Sequence, residues 1–186
     1  MRIPLAVLIL LIATGGAMNA QVLNTAGTLS PGQYRLAVAP LIFNGAGEND
    51  GALHLQAGAG LAPGLDGDVT IGLSRPGGDT YLGLELEWLL SPTWPRLAAT
   101  FGVHSQRNAG LDGALNLTIP AGRSVRIYGA LDADLEFRDG ENDLQAWGVV
   151  GADVPVAPRS ALAFEAAFGL GAGDPDIIGV CLAWYF

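Results

Sequence analysis

The chain has 186 residues, half of them hydrophobic and only 15% charged, with 27 Gly and a formal net charge of -9. A soluble globular domain carries about 25% charged residues, and here every basic residue is Arg, so the usual Lys-rich coat facing water is missing. Acidity without a basic cluster argues against nucleic acid as a partner, and the single cysteine, Cys181, rules out an intrachain disulfide and reads as a small buried apolar residue.

Arg2 opens the chain, Ile3 to Ala13 is apolar, and small residues follow up to Asn19-Ala20. This is the pattern of a secretory signal peptide over residues 1–20, cleaved after Ala17 or Ala20. The apolar run falls short of the about 20 residues that a spanning helix needs. No later stretch is continuously apolar for that length, so the chain is expected to be exported without a helical anchor. Residues 21–32 are expected to form a short periplasmic tail.

From about Gln33 onward the apolar residues alternate with polar or small ones, the mark of strands with one apolar face. Tyr34 to Phe43 is apolar on both faces and contains Pro40. Leu53, Leu55, Ala57, Ala59 and Leu61 alternate with His54, Gln56, Gly58 and Gly60. Val69, Ile71 and Leu73 follow, opposite Asp68, Thr70 and Gly72. Leu82, Leu84, Leu86, Trp88 and Leu90 oppose Tyr81, Gly83, Glu85 and Glu87. Leu97, Ala99, Phe101 and Val103 oppose Ala98, Thr100, Gly102 and His104. Leu115, Leu117 and Ile119 come next. Val125, Ile127, Leu131, Leu135 and Phe137 then oppose Arg126, Tyr128, Asp132, Asp134 and Glu136. Leu144 to Val154 becomes regular only if Trp147 shares the inner face with Gln145 and Asp153. Leu162, Phe164, Phe168 and Leu170 oppose Glu165, and Ile178 to Phe186 closes the chain.

About ten strands result, separated by turn signals such as Asn44-Gly45, Pro63-Gly64, Asn108-Ala109-Gly110 and Asp139-Gly140. The connections segregate by parity. One set is rich in Pro and carries Arg96, Arg123 and Arg159. The other concentrates Glu48, Asp50, Asp79, Asp139, Glu141, Asp143, Asp174 and Asp176. The face opposite the Leu face is rich in Gly and Ala among scattered acids. A thinly charged, Gly-weakened face suits a narrow lumen better than a water-facing surface, so the large apolar residues are assigned to lipid. An open sheet is excluded in lipid because its edges would leave backbone groups unpaired.

With this pattern, and a last strand Val180-Cys181-Leu182-Ala183-Trp184-Tyr185-Phe186 ending in an aromatic residue, the chain resembles the bacterial outer-membrane β-barrels. The resemblance covers the mature chain. It implies an all-β transmembrane antiparallel up-and-down barrel over residues 33–186, located in the outer membrane and surrounded by its lipid. It also implies that the final strand, ending at Phe186, is read by the barrel-insertion machinery. Trp88, Trp94, Trp184 and Phe186 at one end, with Phe43 and Phe137 at the other, are expected to form interfacial girdles.

The expected lumen lining is His54, Asp68, Glu85, Glu87, His104, Arg126, Asp132, Asp134, Glu136, Asp153 and Glu165, with Arg35 as a further cation. Arg126 and Asp153 are placed to pair. The lining implies a polar network or a narrow, porin-like, cation-preferring pore. A structural or surface-interaction role is the other form of the same reading. His104-Ser105-Gln106-Arg107-Asn108-Ala109-Gly110 faintly resembles a motif of the outer-membrane lipid A deacylases. Adjacent strand residues point to opposite faces, so His104 and Ser105 are not expected to pair, and no catalytic residue, metal ligand or cofactor is assigned. The acidic loops at Glu48-Asn49-Asp50 and Asp139 to Asp143 offer oxygen ligands of the kind calcium takes but match no full calcium loop. A lipid-modifying enzyme and a soluble secreted barrel that binds an apolar ligand stand as alternatives.

Overall fold

The period-two pattern becomes ten strands in a computed structural model that describes residues 25–45, 48–74, 78–138 and 140–186. They are β1 (Tyr34–Gly45), β2 (Glu48–Ala62), β3 (Leu65–Leu73), β4 (Tyr81–Ser91), β5 (Arg96–Ser105), β6 (Ala109–Ala121), β7 (Val125–Arg138), β8 (Glu141–Ala157), β9 (Ser160–Gly169) and β10 (Asp176–Tyr185). Each pairs antiparallel with its sequence neighbour, and β1 pairs with β10, so the sheet closes into a barrel. The closing ladder runs from Arg35 opposite Tyr185 to Asn44 opposite Asp176. It lapses over Ala39 and Pro40, because proline has no N–H to give. Tyr34 and Phe186 complete it by exchanging main-chain hydrogen bonds of 3.0 and 3.3 Å.

The end where the chain enters and leaves the barrel is called here the near end. Its turns are tight, and Gly64 and Gly122 supply the left-handed φ of 75° and 87° that they need. The ladders shift register at Gly60/Ala62, Leu89/Ser91 and Pro155/Ala157, all at this end. At the far end, residues 170–175 connect β9 to β10. Asp174 holds the connection between β9 and β10 by accepting from the amides of Gly171 and Ala146 at 2.8 and 3.2 Å.

The barrel is inside out relative to a soluble protein. Leu55, Val69, Leu84, Leu86, Phe101, Leu115, Leu131, Phe164 and Ile178 all project outward and are exposed, while the polar side chains of the same strands are buried. Such a belt in water would be a large apolar patch, whereas hydrocarbon welcomes it. The chain is therefore a transmembrane barrel, and the soluble secreted barrel with its apolar residues inside is overturned. Trp88, Trp94, Trp184 and Phe186 are exposed at the near end, and the Arg96 guanidinium lies 4.6 Å from the ring centre of Trp94. Phe43 corrects the expected girdle. It is 3% exposed and faces the interior, because the inner parity of β1 runs through Ala37, Ala39, Leu41 and Phe43.

The interior divides into two sectors. Along β1, β9 and β10 the inner residues are mostly apolar, Ala37, Ala39, Leu41, Phe43, Ala163, Ala167, Ile177, Cys181 and Ala183, joined by Trp147 and Val149 of β8, with Arg35 of β1 and Glu165 of β9 as the charged exceptions. From β2 round to β8 the inner face is dominated by polar and charged side chains.

Candidate functional site

The candidate site is this polar sector. His54, Asp68, Glu85, His104, Asp132, Asp134, Glu136, Asp153 and Glu165 are buried on the inner face, with Glu87 half-buried beside them and Arg126 partly open at the near end. Near that end Arg35 binds Asp68 at 2.7 Å, joining β1 to β3 across β2. Arg126 and Asp153 face one another across β7 and β8 and pair at 2.7 Å. Further in, Asn116 donates to the Thr100 hydroxyl at 2.9 Å. The Tyr128 hydroxyl reaches toward the Phe164 carbonyl at 3.5 Å.

The far half is organised by rings. His54, Tyr81 and His104 stack in a column, with centroids 5.4 and 5.6 Å apart and planes within 20° of parallel. His104 also lies between two carboxylates, its Nδ1 3.2 Å from Asp112 and its Nε2 3.3 Å from Asp134. At the far mouth Arg138 binds Glu136 at 2.6 Å and Asp143 at 2.9 Å. Arg107 and Asp79 form an exposed pair at 3.0 Å outside it.

Glycines in the wall make room for this filling. A Cβ on Gly72 would fall 2.7 Å from both the His54 ring and Cβ of Tyr81. One on Gly110 would enter the His104 ring, and one on Gly151 the Tyr128 ring. Each large polar side chain thus lies over a missing one on a nearby strand.

Two lumenal carboxylates are additions to the expected set. Asp66 and Asp112 both sit near turns by sequence, yet both lie in strands and face inward. Counting the parity of β6 back from Ala114 through Asp112 would have found the second. Gln56, Thr70, Thr100, Asn116 and Thr118 are further buried polar residues of the wall. Ser105 is exposed on the outer side while His104 is buried, so the two do not pair. Residues 1–24, which include the expected signal peptide, Asp139, and the side chains of Glu48, Asn49, Asp50 and Glu141 lie outside the described residues.

The described part of the expected tail is folded into the near mouth. Thr25, Ala26 and Leu29 are buried. The Ala26 amide donates to the Thr118 hydroxyl at 2.8 Å, and the Leu29 amide donates to the Asp66 carboxylate at 2.8 Å. The Gly60 amide donates to the Gln33 carbonyl at 3.0 Å.

No family model and no curated protein sequence matches the chain. Among solved structures, an outer membrane channel from Pseudomonas putida F1 aligns over 86% of this chain and 97% of its own, with a TM-score of 0.49 and 12% identity. A designed transmembrane β-barrel aligns over 86% of this chain and all of its own, at 0.44 and 14%. The N-terminal barrel domain of OprF from Pseudomonas aeruginosa aligns over 85% of this chain and all of its own, at 0.41 and 10%.

Proposed function

We propose that the protein is a small outer-membrane barrel whose lumen is a narrow, hydrated, cation-preferring passage. The charge of the wall carries this reading. Asp66, Asp68, Glu85, Glu87, Asp112, Asp132, Asp134, Glu136, Asp153 and Glu165 line it, against Arg35, Arg126 and, at the far mouth, Arg138. Two like unit charges 4 Å apart repel by about 4 kcal/mol at an effective dielectric constant of 20, so such a wall draws cations and turns anions away. His54 Nδ1, Asp66 Oδ1, Thr70 Oγ1, Asp112 Oδ1, Asn116 Oδ1 and Asp153 Oδ1 are buried without a hydrogen bond to the described protein groups. Buried polar atoms are paired with protein or with water, and a watered lumen supplies their partners.

The test is single-channel recording of the refolded full chain in a planar bilayer under a KCl gradient. A small conductance that reverses on the cation side is expected. Reversal on the anion side refutes the proposal. A correctly folded barrel that stays silent supports a second reading, a structural or surface-interaction barrel, which the filled lumen favours. The lipid-modifying alternative lacks its central contact, because His104 and Ser105 lie on opposite faces of β5. The expected surroundings are outer-membrane lipid against the belt and the barrel-insertion machinery at the last strand, ending at Phe186.

A further inference from the structure

We infer that residues 25–33 are an intramolecular plug that occupies the near mouth and closes the passage proposed above, on which this reading of its role rests. The segment does not lie along one strand. Its grips come from opposite parts of the wall. Gly60 of β2 bonds to Gln33, Asp66 of β3 holds the Leu29 amide, and Thr118 of β6 holds the Ala26 amide. Gly27 approaches Arg126 of β7, so that a Cβ there would lie 3.8 Å from the guanidinium. A chain bound at β2, β3, β6 and β7 has to cross the lumen.

The wall is cut to receive it. A Cβ on Gly60 would enter the Ser30 carbonyl and come within 2.9 Å of the Leu29 carbonyl oxygen. Any side chain at position 60 therefore competes with the segment for one space. The segment's amides need acceptors wherever they are shielded from water, and Asp66 and Thr118 supply them from residues 37 and 92 positions away. The grip combines a few hydrogen bonds, each worth about 1 kcal/mol net, with the burial of Ala26 and Leu29. A groove of about 290 Å³ lies between the segment and Pro63, Gly64, Leu89, Pro92 and Arg96 of the rim.

The test uses the full chain with Cys181→Ala and Leu29→Cys, refolded into vesicles and checked for heat-modifiable gel mobility. Labelling by a water-soluble maleimide reads whether the segment is docked, and single-channel recording reads whether docking closes the passage. The variants Gly60→Val and, separately, Asp66→Ala with Thr118→Val remove the space and the acceptors while leaving the strands in place. In the parent, Leu29→Cys is expected to be shielded. Either variant is expected to speed its labelling at least tenfold and to raise the mean conductance several-fold. Labelling as fast in the parent as in the variants overturns the plug. So does an unchanged, non-zero conductance when labelling shows the segment released. Silence in every protein, with the thiol shielded and then released, upholds the docked segment and refutes the passage instead.

Discussion

The fit between rings and glycines makes Gly72→Ala a sharp test of the lumen. In a strand, replacing Gly by Ala ordinarily stabilises by about 0.5–1 kcal/mol, because the unfolded chain loses less freedom. At position 72 the new methyl would sit 2.7 Å from the His54 ring and from Cβ of Tyr81. The first can swing away, but the second is fixed to the backbone of β4. Forcing a methyl into a packed site costs about 1–3 kcal/mol, and moving His54 forfeits a stack worth about 0.5–1.5 kcal/mol. The net expectation is a loss of about 2 kcal/mol. Gly113→Ala is the matched control. Its methyl would meet Thr100 O at 3.5 Å and Phe101 Cδ1 at 3.8 Å, ordinary contacts, so the same substitution is expected to be neutral or to gain up to about 1 kcal/mol. Reversible urea unfolding in vesicles, followed by tryptophan emission, measures both. Shifts of the same sign and size at the two positions would refute the argument that wall glycines are slots for lumenal rings.

Arg126→Met strands the Asp153 carboxylate, which is 3% exposed. Breaking a fully buried pair costs about 3–5 kcal/mol. Arg126 is itself about one-third exposed, so about 2 kcal/mol is expected in the same unfolding assay. Adding Asp153→Asn should recover part of the loss, and no recovery would show that the charge left behind is not the cause. Leu84→Arg places a charge on the lipid face of β4 and should cost about 2–4 kcal/mol of membrane folding if it lies at mid-depth. Glu85→Gln, one residue on but facing the lumen, should insert normally and weaken cation selectivity. Equal folding yields for the two would contradict the assignment of faces.

Much of this architecture is legible in the sequence because strand parity is a local property. Leu82 to Leu90 declares its outer face without reference to any other strand, and eight such segments with two less regular ones make an even count. The Arg126–Asp153 pair was readable because the two residues lie on the inner parity at the same end of consecutive strands, β7 and β8. Phe43 was not. In a strand apolar on both faces, nothing local says which parity looks inward. Asp66 and Asp112 were hidden by adjacent turn residues, Pro63-Gly64 and Asn108-Ala109-Gly110, which suggested loops where the strands had already begun. The near-mouth contacts were out of reach, since Ala26 meets Thr118 across 92 residues and neither type advertises the meeting.

The two-sided apolar character of the terminal strands bears on assembly. Closure joins β1 to β10, partners more than a hundred residues apart in sequence, and their main-chain edges have to pair rather than stand open to hydrocarbon. Through most of its length β1 offers only Leu, Ala, Val, Pro, Ile and Phe on its two faces, and β10 little beyond Ile, Gly, Val, Cys, Leu and Ala. Neither margin carries a charge through the bilayer's interior, whichever way it rolls. The acids ride on the strands between, where neighbouring strands already flank them. The seam that joins the chain's two ends is thus the part of the wall with the least charge to carry through oil, and the water-seeking groups keep to the strands away from it.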